Sequence, residues 1–412
     1  MNEKVAEDLA PTSNVEAPFS LDELFFSRTD KRGVIQSGNA VFQRVSEHGW
    51  DQLINAPHKV IRHPDMPRAV FQLFWERIQA GKPTGAYVKN RSKSGKYYWV
   101  YAIVSSVDGG YLSVRLKPTS ELLAVVKKEY AAIRACELRD GLDPTDGVAM
   151  LLSRLNQLGW RDYDSFMSHA LMVETKARDT SLHRENAVID QSAMALLDVS
   201  GRNLKEAEDI LRNLRSISLF PVNMRVVASH LSERGKQFAV ISQNYGEICE
   251  GIQSRMRDFV EASQDLSAQI NACVFLSGAA RYQNEIAAMF DKEDSSDNQI
   301  DTHHEAAVLR GLSTSYDRTL RASASSVSSA SRKLHRTCNQ MQSLVRGLQM
   351  ARTMGKIETA RLDGGGVKLD AMIDRLSEFQ VQITGNLSTI EKLNKSITGS
   401  LGVLLGRTQT AA

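Results

Sequence analysis

Residues 62–67 read RHPDMP, placing a cation, an imidazole, a carboxylate and two prolines side by side. Local chemistry explains part of this. Asp65 suits a helix N-cap, where a carboxylate accepts from free backbone N–H groups. Pro67 lacks an N–H that the first turn leaves unpaired anyway. Beyond it, Val70, Phe71, Phe74, Trp75 and Ile78 recur at helical spacing as one apolar stripe. The spacing predicts a helix from near Met66 to Gly81, stopped by Pro83. Arg62 and His63 have no part in that helix, so they need another explanation.

Working outward, "FFSRTDKRGVIQSGN" (25–39) reads as strand, turn at Lys31, Arg32 and Gly33, and strand. "NAVFQRVS" (39–46) suits a short helix with Val41, Phe42 and Val45 on its apolar face. "GAYVKNRSKSGKYYWVYAIVSS" (85–106) is a hairpin turning at Ser94 and Gly95, and "YLSVRL" (111–116) is a last strand. Residues 21–119 are therefore expected to form one α+β domain, preceded by a flexible, polar stretch over residues 1–20. After Thr119 helical periodicity takes over, and the second half is expected to be an all-α bundle or coiled-coil-like region. Its expected parts are residues 120–290, an acidic loop over 291–305 around "DKEDSSDNQID", and residues 306–412. "ASASSVSSASRK" (322–333) has two readings, a disordered linker or a small-residue seam between close-packed helices.

Bulk properties exclude several classes. A net charge of +3 over 412 residues, without a strong basic run, gives no electrostatic footprint for nucleic acid. No stretch approaches the roughly 18 apolar residues of a membrane span, and no apolar leader is present, so no direct membrane insertion is expected. The four cysteines lie far apart without metal-ligand spacing, which fits buried thiols in a reducing cytoplasm. No nucleotide-binding glycine box, nucleophile–base pair or metal cluster stands out, so the chain is not expected to be an enzyme.

The blocks "VIRHPDMPRAVF", "FWERIQAGKP", "VKNRSKSGKYYWV" and "LSVRLKPT" resemble the PAS domain of bacterial aerotaxis receptors. In that family the domain holds FAD non-covalently and reports redox state or oxygen supply. The resemblance implies that Asn39, Arg62, His63, Asp65, Trp75 and Asn90 stand at flavin-influencing positions. Arg62 would meet phosphates or a negatively charged reduced ring, and Asn90 would offer an amide to the pyrimidine edge. Trp75 reads equally as core or as cofactor wall. One position departs from the pattern: Thr84 stands where the family commonly has tryptophan. Two alternatives stay open, a cofactor-free domain with an Arg62–Asp65 ion pair at the helix cap, and haem ligated by His63.

"VNMRVVASHLSERGKQFAVISQNYGEI" (222–248) resembles the segment after the hairpin tip of methyl-accepting chemoreceptors. That implies self-association and contact with the chemotaxis kinase, its coupling protein or other chemoreceptors. Charged receptor positions fall here on Val227 and His230, Pro221 breaks the helical run, and no methylation-type Glu/Gln pair is found. "GKIETARLDGGGVKLDAMIDRL" (355–376) echoes the segment, placing Ile357 on Val226, Arg361 on His230 and Gly366 on Gly235. Two functions follow: a cytoplasmic, chemoreceptor-like redox or oxygen sensor, or a PAS-regulated helical scaffold without direct control of the kinase.

Overall fold

Alternation of side chains along the N-terminal strands determines what each face of the sheet meets. A computed structural model describes residues 10–184, 187–217, 220–229, 236–293, 300–361 and 367–410. Strands β1 (Phe25–Asp30), β2 (Ile35–Gly38), β3 (Thr84–Arg91), β4 (Tyr97–Val107) and β5 (Gly110–Leu116) form one antiparallel sheet in the order β2-β1-β5-β4-β3. Helices α1 (Ala40–Ser46), α2 (Trp50–Leu53) and α3 (Arg68–Gln79), with a 3-10 turn at His58–Ile61, connect β2 to β3. Gly33 adopts φ 77° at the expected first turn, where a Cβ would stand 3.0 Å from the Trp75 ring. Gly95 adopts φ 86° in the β3–β4 turn, and a Cβ there would stand 2.0 Å from the Pro11 carbonyl oxygen.

That contact reflects a correction, over residues 10–20, to the flexible N-terminus expected for residues 1–20; residues 1–9 lie outside the described residues. Residues 13–17 are bonded along the hairpin: Tyr97 N donates to Val15 O at 3.0 Å, and Ala17 N donates to Tyr97 O at 2.8 Å. Ala17 and Phe19 are buried, and Phe19 meets Phe25 edge to face at 4.9 Å between ring centroids. Two apolar side chains in a polar stretch suffice to dock it.

The chain then continues as α4 (Leu122–Arg139), α5 (Pro144–Gln157), α6 (Tyr163–Ser181), α7 (Ala187–Ile217), α8 (Phe220–Ser229), α9 (Lys236–Phe290), α10 (Thr302–Ala360) and α11 (Val367–Thr410). The expected plan, an α+β domain followed by helices, is what forms. Its compact units, however, do not follow chain order. The described part of Met1–Met194 clusters with Asn271–Ala322, while Ala195–Ile270 clusters with Ser323–Gly406. The acidic loop also ends earlier than expected, since α10 begins at Thr302 and takes in Glu305; residues 294–299 lie outside the described residues.

In the first unit, segments of α6, α9 and α10 cover the sheet face formed by Phe26, Arg28, Tyr87, Tyr101 and Ser105. Phe26 meets Phe290 edge to face at 5.1 Å, and Arg28 grips the buried Glu305 carboxylate with Nε and Nη2. Tyr101 Oη donates to Met167 O at 2.6 Å, and Tyr316 Oη hydrogen-bonds Ser105 Oγ at 2.7 Å. The Glu174 carboxylate on α6 is fully buried and accepts four hydrogen bonds. Tyr87 Oη and Ser120 Oγ bond one oxygen at 2.7 and 2.6 Å, and the N–H groups of Thr119 and Ser120 bond the other at 2.7 and 2.9 Å.

The second unit is a helical bundle with sustained heptads. On α10, Val327, Ser331, Leu334, Cys338, Met341, Val345 and Leu348 are all buried, alternating three- and four-residue steps. The serine-rich stretch is thus a helical seam rather than a linker. On α11, Ile383, Leu387, Ile390, Asn394 and Ile397 repeat the pattern, and Asn394 Oδ1 accepts from Asn203 Nδ2 at 2.7 Å. A polar pair at such a position sets helix register at some cost in stability. Helix α8 starts with Pro221 in its first turn, where a missing N–H costs nothing.

Glu174→Leu leaves two hydroxyls and two backbone N–H groups without their shared acceptor. Removing a buried acceptor in this way costs about 2–4 kcal/mol. All four tryptophans, at 50, 75, 99 and 160, lie in the first unit, so urea unfolding followed by tryptophan fluorescence reads that unit. We expect its midpoint to fall while far-ultraviolet circular dichroism of the native protein barely changes.

Candidate functional site

The apolar stripe of α3 turns out to face a cavity. Phe71, Phe74, Trp75 and Ile78 line one side of a space of about 340 Å³. Phe71, Phe74 and Trp75 are only half-buried because that space, not packed protein, lies against them. The opposite wall is the inner face of the sheet: Ser27 and Thr29 of β1, Val88 and Asn90 of β3, Ala102 and Val104 of β4, and Tyr111, Ser113 and Arg115 of β5. Strand period two brings these residues onto one face. The 3-10 turn and the residue after it add His58, Lys59 and Arg62. An apolar slot of this size with convergent polar groups suits a flat organic ring.

Two guanidiniums border the cavity. Arg62 stacks on the Phe71 ring with Cζ 3.5 Å from its centroid, and its buried Nε has no partner. Burial lowers its pKa. Arg115 is 3% exposed; its Nη2 donates to Ser27 Oγ at 2.5 Å and to His58 Nε2 at 2.7 Å, while Nη1 has no partner. Burial pulls its pKa down to about 10. Since a guanidinium only donates, His58 Nε2 accepts and the proton of the neutral ring sits on Nδ1. Burial first, then the charges of Arg115 and Arg62, push the His58 pKa well below its ordinary value. His58 also stacks on Phe42 at 6.0 Å.

Of the six residues taken from the sequence, Arg62, Trp75 and Asn90 line the cavity together. Asn39, His63 and Asp65 are not among its lining residues. Asn39 caps α1: Oδ1 accepts from Phe42 N at 3.1 Å and Phe26 N at 3.0 Å, and Nδ2 donates to Leu24 O at 2.8 Å. His63 is buried, and its Nδ1 accepts from Asp65 N at 3.1 Å. Asp65 does not cap α3, which begins later than expected, and it does not pair with Arg62. Its carboxylate accepts from Lys89 Nζ at 2.6 Å. The first turn of α3 is served instead by the buried Glu137 of α4, which accepts from Arg68 N and Ala69 N at 2.9 Å each. Arg134 of the same helix donates to Pro64 O at 3.0 Å and to Glu137 at 3.0 Å. Thr84 is fully buried outside the cavity lining, donating to Lys82 O at 3.0 Å.

Comparison with known proteins agrees with this geometry. Residues 37–113 match a family model described as the PAS fold. Over 123 residues the chain is 37% identical to the aerotaxis receptor of Escherichia coli (strain K12). The N-terminal domain has the PAS fold and is similar there to the aerotaxis receptor. The match takes in 29% of this chain and 24% of that receptor, so the chain spans about a quarter of its relative's length.

His58 and Arg115 line the cavity and were missed by the sequence reading. Arg115 carried a signal: a lone cation on the Tyr111, Ser113 and Arg115 side of a strand whose other side is Leu112, Val114 and Leu116. His58 carried none, because only the fold brings the 3-10 turn beside β5.

Three histidines whose pKa burial lowers, His48, His58 and His63, give the PAS domain an acid response. His63 is held down to about 4, mainly by burial and then by Lys89, and His58 lies well below 6.5. The unfolded chain therefore takes up protons first as pH falls below about 6.5, and native stability falls with it toward pH 4. Urea midpoints from tryptophan fluorescence should be level from pH 8 to 7 and decline steadily from pH 6.5 to 5. A midpoint constant down to pH 5 contradicts the neutral state of these rings.

Proposed function

We propose that the chain is a PAS-containing, chemoreceptor-like signal transducer that reads redox state or oxygen supply through a flavin, FAD, held in the cavity of its first unit. The observation that carries this reading is the composition of the cavity, an aromatic α3 wall facing a polar sheet wall with unpartnered donors on Arg62, Arg115 and Ser113. An isoalloxazine needs such a site: an apolar slot, with donors for its polar edge. Arg62, Asn90 and Trp75 would hold it, Arg62 meeting negative charge and Asn90 the pyrimidine edge. When bound, the flavin supplies reversible electron transfer, and nearby charge sets its potential.

The flavin reading is tested by purifying the full chain and recording a visible spectrum before and after adding FAD. Flavin bands are expected. Arg62→Ala or Asn90→Ala should weaken FAD binding by about tenfold or more without changing tryptophan fluorescence of the folded state. A colourless wild type that takes up no added FAD contradicts the reading, and a Soret band selects haem instead.

For output, the heptad bundle and the chemoreceptor-like segment support self-association and contact with the chemotaxis kinase, its coupling protein or other chemoreceptors. Among the described residues no helix is long and apolar enough to cross a membrane, in keeping with action in the cytoplasm. Exposed Val226 of α8 and Ile357 of α10 fall on equivalent positions of the two echoing segments, which supports apolar helical contacts. Residues 230–235 and 362–366, which include His230, Glu233, Gly235 and Gly366 of the two segments, lie outside the described residues. The charges lost at Val227 and His230 favour the second reading, a scaffold that does not drive the kinase directly. Truncating a charge partner at an interface costs about 2–5 kcal/mol, enough to empty a kinase contact. Reconstitution with kinase and coupling protein should therefore give weak stimulation. Stimulation equal to a standard receptor restores the simpler reading of a direct kinase activator.

A further inference from the structure

Arg115 is an expensive residue for a ligand-free fold. It is almost wholly buried in the cavity wall, and its hydrogen bonds go to two neutral groups, Ser27 Oγ and His58 Nε2. Among the described residues no carboxylate forms an ion pair with it, and Nη1 donates to nothing. Ser113, two positions back on the same face of β5, also lines the cavity with a buried, unpartnered hydroxyl. A buried cation without a counter-charge costs far more than an apolar side chain of the same volume. Proteins tolerate such local penalties at sites kept for function. The other buried guanidinium described in this unit shows the contrast: Arg178 pairs with Glu285 through both terminal nitrogens and also donates to the carbonyls of Leu21 and Asp22.

We propose that Arg115, backed by Ser27 and His58, is the anchor for a flat ring ligand that presents an anionic or electron-rich oxygen or nitrogen to β5. This rests on the flavin reading and deepens it, since a reduced isoalloxazine gains negative charge on its polar edge. It gives the cavity two cationic poles with separate duties. Arg62, stacked on Phe71, borders the 3-10 turn side, whereas Arg115 is fixed in the sheet by Ser27 and His58. His58 serves as a positioning residue: kept neutral, it accepts from Nη2 and leaves Nη1 for the ligand.

An anchor retained for a ligand has a distinctive signature, because removing it should spare or help the empty protein while harming the loaded one. In the ligand-free full chain, Arg115→Met should melt at or above the wild-type temperature. Methionine replaces the apolar stem, and Ser27 Oγ, already 3.4 Å from His58 Nε2, takes over as its donor. The dissociation constant for FAD should rise by about 10- to 100-fold, as for loss of a charged hydrogen bond, and Arg115→Lys should recover part of the loss. A ligand-free Arg115→Met chain that melts well below wild type makes Arg115 a structural bond and overturns the anchor, whether or not FAD binds. Unchanged FAD affinity in the variant also overturns it, and the flavin reading then stands. A wild type that takes up no FAD removes the flavin reading instead. The ligand-free melting comparison still decides whether the buried charge is kept for a ligand.

Discussion

The carboxylate of Glu174 holds the PAS sheet, the chain leaving it and helix α6 in one arrangement. An ionised carboxylate has about four acceptor sites, and here each is filled: by a tyrosine of β3, a serine hydroxyl, and two backbone N–H groups where the sheet ends and α4 is about to begin. A buried charge is tolerable only when so fully satisfied. That makes the arrangement all or none. Shifting β3 or turning α6 loses bonds from a group that water cannot reach, so strand, junction and helix move together.

This matters because each strand has two faces with different work. On β3, Val88 and Asn90 line the cavity while Tyr87 reaches Glu174. On β4, Ala102 and Val104 line the cavity while Tyr101 and Ser105 bond α6 and α10. On β1, Ser27 and Thr29 face the cavity while Phe26 and Arg28 meet Phe290 and Glu305. A change of charge or size in the cavity therefore acts on strands whose reverse sides are bonded to helices of the same unit. Packed interiors pass displacement on rather than absorbing it. The first described segment of α10 belongs to this unit, so the sheet's outer face is already engaged within the chain.

The parts of this arrangement written in local patterns were legible in the sequence. Alternating strands, glycine turns at Gly33 and Gly95 and the α3 stripe lie within short windows, and the structure has them where periodicity puts them. The heptads of the second unit were equally plain as helix, although the serine seam at 322–333 could be placed only once Val327 and Ser331 were seen inside the bundle. What stayed hidden depends on long-range closure. Glu137 and Glu174 read as ordinary surface carboxylates of amphipathic helices. Nothing near them in sequence shows that one meets the start of α3 and the other the end of β5. The same holds for Arg28 with Glu305, separated by most of the chain.

The RHPDMP motif shows how a short stretch divides its labour. Arg62 faces the cavity and stacks on Phe71, one turn into the helix that the motif introduces. His63 and Asp65 turn away from it, closing the loop on itself and onto Lys89, which neighbours Asn90 on β3. Pro64 offers its carbonyl to Arg134, and beyond Pro67 the free N–H groups of Arg68 and Ala69 meet Glu137. Two prolines suit this, because neither can donate and both hold φ near one value, leaving carbonyls and the first helical N–H groups for α4 to bind. The motif is thus held from both sides, by β3 through Asp65 and by α4 through Pro64. Arg62 is aimed by that double grip together with its stacking on Phe71. A residue whose place is set by neighbours on two elements responds to either of them, so among the described residues α4 touches the cavity only through the motif that carries Arg62.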